Sequence, residues 1–117
     1  MASGTRNRFP TPLISAASSR KVTSRISESA KLIREAEKAG KSLQSSLDDL
    51  VAKLVAGNLN PGIGTKSLGS GISYARSADG ARVFFRELAD GTIEILGKAS
   101  KHNEQTVIDE ILKLFGD

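Results

Sequence analysis

The sequence contains no cysteine and no tryptophan, and it has only one histidine. The absence of cysteine excludes disulfides and thiolate metal sites, and a single histidine is far short of a zinc site. The acidic residues are scattered along the chain, so no metal ion or other cofactor is expected. There is no apolar run of about 20 residues, so no membrane-spanning helix is expected either.

Positive charge is concentrated in two parts of the chain. Residues 1–26 contain five basic residues and no acidic one, and residues 58–102 contain six basic residues against four acidic ones. Residues 103–117 have an acidic excess, which leaves a net charge of +4 for the whole chain. A basic surface suits a polyanionic partner such as nucleic acid. Solubility alone would explain the same charge, so composition does not decide between the two.

Composition also divides the chain into two segments. Residues 1–26 are rich in serine, threonine, alanine and arginine and keep no helical or strand period, which predicts a flexible basic tail or linker. Residues 27–117 have the length and the patterning of one folded domain. We expect the tail to join this domain to a longer protein.

The helical pattern lies between residues 27 and 57. A first helix is predicted to end at Gly40, and a second to begin at Ser42 or Ser45. The second has apolar residues at three- and four-residue spacing, namely Leu43, Leu47, Leu50, Val51, Leu54 and Val55. Joined near Gly40, the two helices would form a hairpin that covers a sheet. A last helix is predicted after Asn103, which is a good N-cap.

Three β-prone runs follow the helices, at residues 71–76, 81–86 and 92–96. Asp-Gly pairs stand between them, and such pairs are strong hairpin signals. The pattern predicts an antiparallel meander, with a fourth edge strand possible between residues 59 and 68. The fold class is therefore α+β, with a helical hairpin on a three- to four-stranded antiparallel sheet and a C-terminal helix.

Alternation along the strands predicts two different sheet faces. One face is apolar and is expected to pack on the helices. The other carries Arg82, Arg86 and aromatic groups, which suits a working surface. Alternatively, the arginines pair with Glu87 and Glu94 across strands.

The residues on this surface suit the cleavage of RNA without a metal ion. In that reaction the 2′-hydroxyl attacks the neighbouring phosphate, which requires a proton acceptor, a proton donor and fixed positive charge. His102, in a loop before a helix, suits proton transfer because histidine titrates near neutrality. Arg82 suits phosphate because its planar fork donates two parallel hydrogen bonds. Other groups that could reach the same region are Lys66, Tyr74, Arg76, Lys98 and Lys101.

The order of these motifs resembles the RelE/ParE toxin superfamily, over roughly residues 27–115. The resemblance rests on Lys66-Ser67-Leu68, the strand from Gly71 to Arg76, the run Gly80-Ala81-Arg82-Val83, and the turn Lys101-His102-Asn103. It extends to barnase-like, colicin-type and contact-dependent-inhibition nucleases. The family fold agrees with the predicted one, and its members are toxins that a cognate antitoxin or immunity protein inhibits.

The resemblance implies a role for each matched position. Arg82 corresponds to the central-strand arginine that holds phosphate, and His102 lies where relatives place a catalytic group. The predicted catalytic set is His102, Arg82, Arg76 and Lys66, and the predicted substrate-binding set is Tyr74, Thr65, Arg86, Lys98 and Lys101. The strand lysines of RelE are not kept, and Ile108 replaces its late tyrosine. These departures favour a free RNA such as tRNA over mRNA on the ribosome.

The implied function is a bacterial endoribonuclease toxin that acts in the cytoplasm. It would be delivered from a neighbouring cell as the C-terminal part of a larger secreted toxin. Two alternatives stay open, namely a ParE-like toxin that inhibits gyrase and an RNA-binding module without catalytic activity. An acidic inhibitor is expected to cover the basic cleft.

Overall fold

The computed structural model describes residues 19–116. Its elements in chain order are strand β1 (Val22–Ser24), a 3-10 helix (Ile26–Glu28), helix α1 (Ala30–Val55), strands β2 (Thr65–Gly69), β3 (Ile72–Arg76), β4 (Ala81–Glu87) and β5 (Ile93–Ser100), and helix α2 (Glu104–Phe115). The α+β class is confirmed. Most of the predicted tail lies outside the described residues.

The strands form one sheet in the order β1-β5-β4-β3-β2. The predicted meander is present as β3, β4 and β5, which pair antiparallel. The possible edge strand is also present, because β2 pairs antiparallel with β3. The sheet is nevertheless mixed rather than antiparallel, since β1 pairs parallel with β5. Strand β1 comes from residues assigned to the tail and is too short to show an alternating pattern.

The two hairpin turns share the sequence Ala-Asp-Gly and the same backbone bonding. In each, the residue before the alanine donates its N–H to the residue after the glycine and accepts from the glycine N–H. The glycines Gly80 and Gly91 have φ values of 105° and 88°. Glycine adopts this left-handed conformation without steric penalty, so the Asp-Gly signals place both turns correctly.

The prediction of a helical hairpin is wrong, because α1 continues through Gly40 as one helix of 26 residues. The side chain of Ser29 caps its start by accepting from the N–H of Leu32 at 3.2 Å. A glycine inside a helix costs about 1 kcal/mol relative to alanine. The apolar stripe is buried on both sides of that glycine, and it includes Leu32, Ala39, Leu47, Leu50 and Leu54. Burial of the whole stripe outweighs the local cost.

Both faces of the sheet are covered, so the prediction of one apolar and one open face is wrong. Leu47, Leu50 and Leu54 of α1 pack with Val83 and Phe85 on one face. On the other face, Phe84 and Tyr74 pack in one cluster with apolar residues of α2, namely Val107, Ile108, Ile111 and Phe115. Only the part of this second face that α2 leaves uncovered is therefore available as a basic surface.

Gly97 lets α2 approach β5 closely. A Cβ atom at this position would lie 2.9 Å from side-chain atoms of both Val107 and Ile111. Any larger residue would push the helix away from the strand. The close contact therefore fixes where the first turn of α2 lies relative to the sheet.

The N-cap position of α2 is Asn103, as predicted, but its side chain makes no capping hydrogen bond. Its Oδ1 instead accepts from the backbone N–H of Ser100 at 2.6 Å, and its Nδ2 donates to Oε1 of Glu35 at 3.0 Å. Burial alone would raise the pKa of Glu35, but hydrogen bonds from Asn103 and Lys38 outweigh it and hold the pKa below its usual range. Asn103 thus ties the loop before α2 to helix α1.

Candidate functional site

Three cationic residues of the predicted site lie at one end of the sheet face that α2 partly covers. The register sets Arg76 directly opposite Arg82, and Lys66 directly opposite Tyr74. Directly opposite residues point to the same face, and Tyr74 and Arg76 share it because they lie two apart on one strand. Lys66 is exposed, and Arg76 is half-buried. This end of the sheet therefore gathers three cationic groups, which we call the basic face.

Arg82 is the most buried of these groups, at 9% exposure. Its Nε donates to Oε1 of Glu104 at 2.6 Å, and its Nη1 donates to the carbonyl of Ala81 at 3.2 Å. Within residues 19–116, its Nη2 makes no hydrogen bond. The guanidinium is thus held in place by two partners, and one edge of its fork remains for another acceptor.

Arg76 is held by the loop between α1 and β2. Its Nε donates to the carbonyl of Gly64 at 3.3 Å, and its Nη2 lies 3.5 Å from the carbonyl of Ile63. The backbone repeats the connection, because the N–H of Ile63 donates to the carbonyl of Arg76 at 2.9 Å. The glycine-rich loop therefore fixes the second arginine of the basic face.

His102 is exposed, in the turn between β5 and α2. Its backbone N–H donates to Oγ of Ser100 at 3.2 Å, and the N–H of Lys101 donates to the carbonyl of Gly80 at 2.8 Å. The turn lines a small open cleft of about 160 Å³, whose other walls include Asp79 and Leu43. Leu43 belongs to α1, so this cleft opens between the sheet end and that helix.

The same end of the sheet carries both His102 and the arginine pair. Ala99, three positions before His102, is directly opposite Arg82. His102 lies in a cleft on the α1 side of the sheet, whereas Arg82 lies on the α2 side. No hydrogen bond or ion pair joins the two side chains in the part of the chain that the structure describes. A ligand that used both would have to cross the end of the sheet.

Four predicted substrate-binding residues do not join the basic face as binding groups. Tyr74 is 6% exposed, and its ring packs on Phe84 with centroids 5.0 Å apart, which leaves too little surface for a base to stack on it. Lys98 is opposite Val83, on the sheet face that packs on α1. Thr65 donates its N–H and its hydroxyl to Oδ1 of Asn60, at 2.7 and 2.9 Å.

Arg86 is the fourth of these residues, and it lies farther along β4. Its Nε and Nη2 donate to Oε1 of Glu94 at 3.1 and 2.7 Å. The two residues are directly opposite on neighbouring strands. This is the cross-strand pairing that stayed open as the alternative for the strand arginines. Arg82 does not follow it, since its carboxylate partner lies on α2.

Sequence reasoning missed two acidic residues near the site. Glu104 directly follows the predicted N-cap Asn103, but its pairing with Arg82 depends on where α2 docks. Asp79 belongs to an Asp-Gly turn signal, and its carboxylate accepts hydrogen bonds from the hydroxyls of Ser46 and Ser77. These bonds hold the pKa of Asp79 below its usual range. These contacts have no sequence signal. The Arg82–Glu104 and Ser46–Asp79 contacts join residues that lie far apart in the chain, and the Ser77–Asp79 contact depends on the side-chain rotamers.

Two further findings concern residues 19–116 alone. No group of three histidine, cysteine, aspartate or glutamate side chains there is arranged to hold a metal ion. Neither α-helix in this part of the chain combines the length and the apolarity that crossing a bilayer requires.

Comparison with known proteins gives one structural likeness. No protein-family model matches the sequence, and no curated protein matches it significantly. The fold is similar to a chain in the crystal structure of the E. coli DinJ–YafQ toxin–antitoxin complex, with a TM-score of 0.52 and 14% sequence identity. The match covers 72% of this chain and 94% of the other. At this identity the likeness shows a shared fold, which is one found in a toxin–antitoxin complex.

Proposed function

We propose that this chain is a toxin that cleaves RNA, with tRNA as its substrate class, and that it does so without a metal ion. The observation that carries the proposal is the cross-strand pair Arg76–Arg82, at the sheet end that also holds the turn with His102. Like charges directly opposite each other destabilise a sheet. Such a pair is therefore expected where an anion is bound, and a phosphodiester is an anion that matches arginine forks.

Each group of the basic face, and two residues of the turn before α2, have a role in this proposal. Arg82, through Nη2, and Arg76 bind the scissile phosphate and stabilise the charge of its transition state. His102 transfers a proton at the reacting oxygens. Lys66 and Lys101 are both exposed and contact the RNA backbone on either side. Tyr74, Thr65, Arg86 and Lys98 are left out, because their side chains are buried, bonded elsewhere or on the other face.

The fold likeness supports a toxin that works with a cognate inhibitor. The similar chain comes from a toxin–antitoxin complex. An inhibitor for this chain would cover the basic face with acidic side chains, since charge complementarity speeds association and prevents the toxin from harming its producer. The toxin would act in the bacterial cytoplasm, where its RNA target is found.

One observation favours the alternative of an RNA- or protein-binding module without chemistry. Arg82 is buried and already paired with Glu104, so the pair could serve only to dock α2 on the sheet. In that case the basic face would bind a partner through Lys66 and Arg76 alone. Growth inhibition, if it occurred, would then not depend on His102.

The test is to incubate the purified chain with total bacterial RNA in EDTA and to sequence the new 5′ ends. We expect discrete new ends within tRNA, and we expect His102→Ala to abolish them together with growth inhibition. Lys113→Ala, an exposed change in the last turn of α2, is the matched control. Cleavage only after divalent metal is restored would contradict the metal-free mechanism. Growth inhibition by His102→Ala without RNA cleavage would favour a gyrase-type target.

A further inference from the structure

The loop between α1 and β2 holds an apolar side chain in water beside Arg76. Ile63 is 55% exposed, the highest value among the exposed large apolar side chains of residues 19–116. Its carbonyl lies 3.5 Å from Nη2 of Arg76, and its N–H donates to the carbonyl of Arg76 at 2.9 Å. A single exposed apolar residue is ordinary on a protein surface. Ile63 differs from such residues in how its loop is held and in what lies behind it.

The backbone on both sides of Ile63 is fixed by hydrogen bonds and by glycine geometry. The N–H of Gly64 donates to the carbonyl of Pro61 at 3.1 Å, and the N–H of Arg76 donates to the carbonyl of Gly64 at 3.2 Å. Gly62 has a φ of 68°, and a Cβ atom there would lie 2.0 Å from the carbonyl oxygen of Arg76. Only glycine fits that position. The loop therefore keeps Ile63 at a fixed place outside the core.

Ile63 also lines an open cleft of about 450 Å³ between this loop and helix α1. Helix α1 contributes Asp49 and Lys53 to the lining, and the turn between β3 and β4 contributes Ser77 and Ala78. Nζ of Lys53 lies 2.9 Å from Oδ2 of Asp49, so these two charges balance each other. The volume falls within the range of roughly 300–1,000 Å³ that is usual for small-molecule sites. Unlike the basic face, this cleft suits an uncharged group.

We propose that this cleft receives the base of a nucleotide next to the scissile phosphate, with Ile63 packed against the face of the base. The inference rests on the proposed RNase function. The phosphate is bound by Arg76 and Arg82, and the neighbouring base reaches over the end of the sheet into the cleft. A base can enter only when it is unpaired and unstacked, as in the loops of a folded RNA. Ile63 is therefore a substrate-binding residue that selects single-stranded nucleotides.

The neighbouring cleft beside His102 suits a base less well. Its volume is only about 160 Å³, and its lining includes Lys101 and Asp79. Hydrogen bonds hold the pKa of Asp79 below its usual range, so this cleft contains a carboxylate at neutral pH. The cleft behind Ile63 is larger, and the charges of its lining are paired.

The experiment compares Ile63→Ala with the control Val22→Ala, which truncates another exposed apolar residue on β1, opposite Ile93. Single-turnover cleavage is measured on the RNA mapped above and on the same RNA with an abasic nucleotide, first on one side of the scissile phosphate and then on the other. Affinity is measured on the mapped RNA carrying 2′-O-methyl groups, which cannot react.

We expect Ile63→Ala to weaken both affinity and cleavage of the ordinary RNA about 10-fold at subsaturating protein, because it removes apolar surface that the base covers. One of the two abasic RNAs should be cleaved about 10-fold more slowly by the wild type. On that RNA, Ile63→Ala should cause no further loss, since the base that it contacts is already missing. Val22→Ala should behave as the wild type on every RNA.

The outcomes separate this base site from the proposed function. Unchanged cleavage by Ile63→Ala would overturn the base site, leave the RNase function intact and direct attention to an inhibitor protein as the partner of Ile63. An equal loss by Ile63→Ala on ordinary and abasic RNA would also overturn it. If Ile63→Ala failed to fold, the wild type alone would decide, because full-rate cleavage of both abasic RNAs excludes the base contact. Absence of RNA cleavage by the wild-type chain would overturn both proposals.

Discussion

Strand β4 carries Arg82 and Arg86 on one face, four residues apart, and each pairs with a glutamate. Arg86 bonds Glu94 on the neighbouring strand, where the register sets the two directly opposite. Arg82 bonds Glu104 on helix α2, outside the sheet. The first pair is the ordinary cross-strand arrangement, whereas the second joins two elements beside a second arginine and the turn with His102.

The comparison shows how the same two residue types acquire different uses. The Cα atoms of the two arginines lie about 13 Å apart at the usual strand rise. Arg86 already donates both its Nε and its Nη2 to Glu94. Arg86 is opposite Ile72, an apolar neighbour, while Arg82 is opposite Arg76. Only the second arrangement leaves positive charge that a single glutamate does not balance. An anion site is therefore expected at Arg82 and not at Arg86.

The largest expected difference is in catalysis. Arg82→Ala removes a donor to the transition state and should lower RNA cleavage about 100-fold. Arg86→Ala should lower it far less, and mainly through stability. Initial rates of the two purified variants on the same RNA give the comparison. Equal losses would place Arg86 in the substrate site, as the sequence predicts.

The next expected difference is in stability. Arg86→Ala leaves the carboxylate of Glu94 buried without its partner, which should lower the free energy of unfolding by about 2 kcal/mol. Replacing both members, as Arg86→Met with Glu94→Leu, should recover most of the loss because no buried charge remains. Urea unfolding measures both variants. A double variant as unstable as Arg86→Ala would contradict this account, because it would show that the Arg86–Glu94 pair stabilises other contacts in the fold as well.

A smaller effect concerns the salt dependence of RNA binding. Each phosphate contact to a single strand contributes about 0.7 to the slope of log affinity against log salt. Arg76→Gln should reduce the slope by that amount, whereas the exposed Lys113→Gln should leave it within error. Titrations with 2′-O-methyl RNA at several salt concentrations provide the slopes. An unchanged slope for Arg76→Gln would remove this residue from the phosphate site.

The smallest expected effect is the stability that the two Ala-Asp-Gly turns lose in acid. Hydrogen bonds lower the pKa of Asp79, through Ser46 and Ser77, and that of Asp90, through the backbone N–H and the hydroxyl of Thr92. A lowered folded pKa contributes stability above the unfolded value of about 3.9, and that stability is lost as pH falls through the folded pKa.

The check is the melting temperature of Asp79→Asn and Asp90→Asn between neutral pH and pH values of about 3. Both variants should have a lower melting temperature than wild type at neutral pH, and this difference should shrink in acid. The effect should be larger for Asp79, since Ser46 ties that turn to α1. A difference that stayed constant with pH would show that the lost contacts do not depend on ionisation.

The local features of the fold could be predicted from the sequence. The strands of the meander, both Asp-Gly turns and the N-cap position of α2 follow from patterns of a few residues. Continuity of α1 through Gly40 could not, because it depends on how much of the stripe the sheet buries. Strand β1 could not either, since three residues carry no period and its partner is about 70 positions away.

The candidate site was predictable only in part. Arg76, Arg82 and His102 lie at or just beyond the strand ends that a meander brings to one end of the sheet. Their common location therefore follows from the topology. The pairing of Arg82 with Glu104 depends on the docking of α2, which Gly97 permits. Tyr74 is predicted to bind substrate, but it is buried in the cluster that includes α2. Tertiary packing, which local patterns do not encode, decides these positions.

The central claim is that the basic face promotes attack by the 2′-hydroxyl of an RNA on its own phosphate. The most direct measurement is mass spectrometry of the ends produced in EDTA from the mapped RNA, with and without a 2′-O-methyl group at the scissile nucleotide. The account predicts 2′,3′-cyclic phosphate and 5′-hydroxyl ends, and no cleavage of the methylated RNA. Cleavage of the methylated RNA at the same position would contradict it.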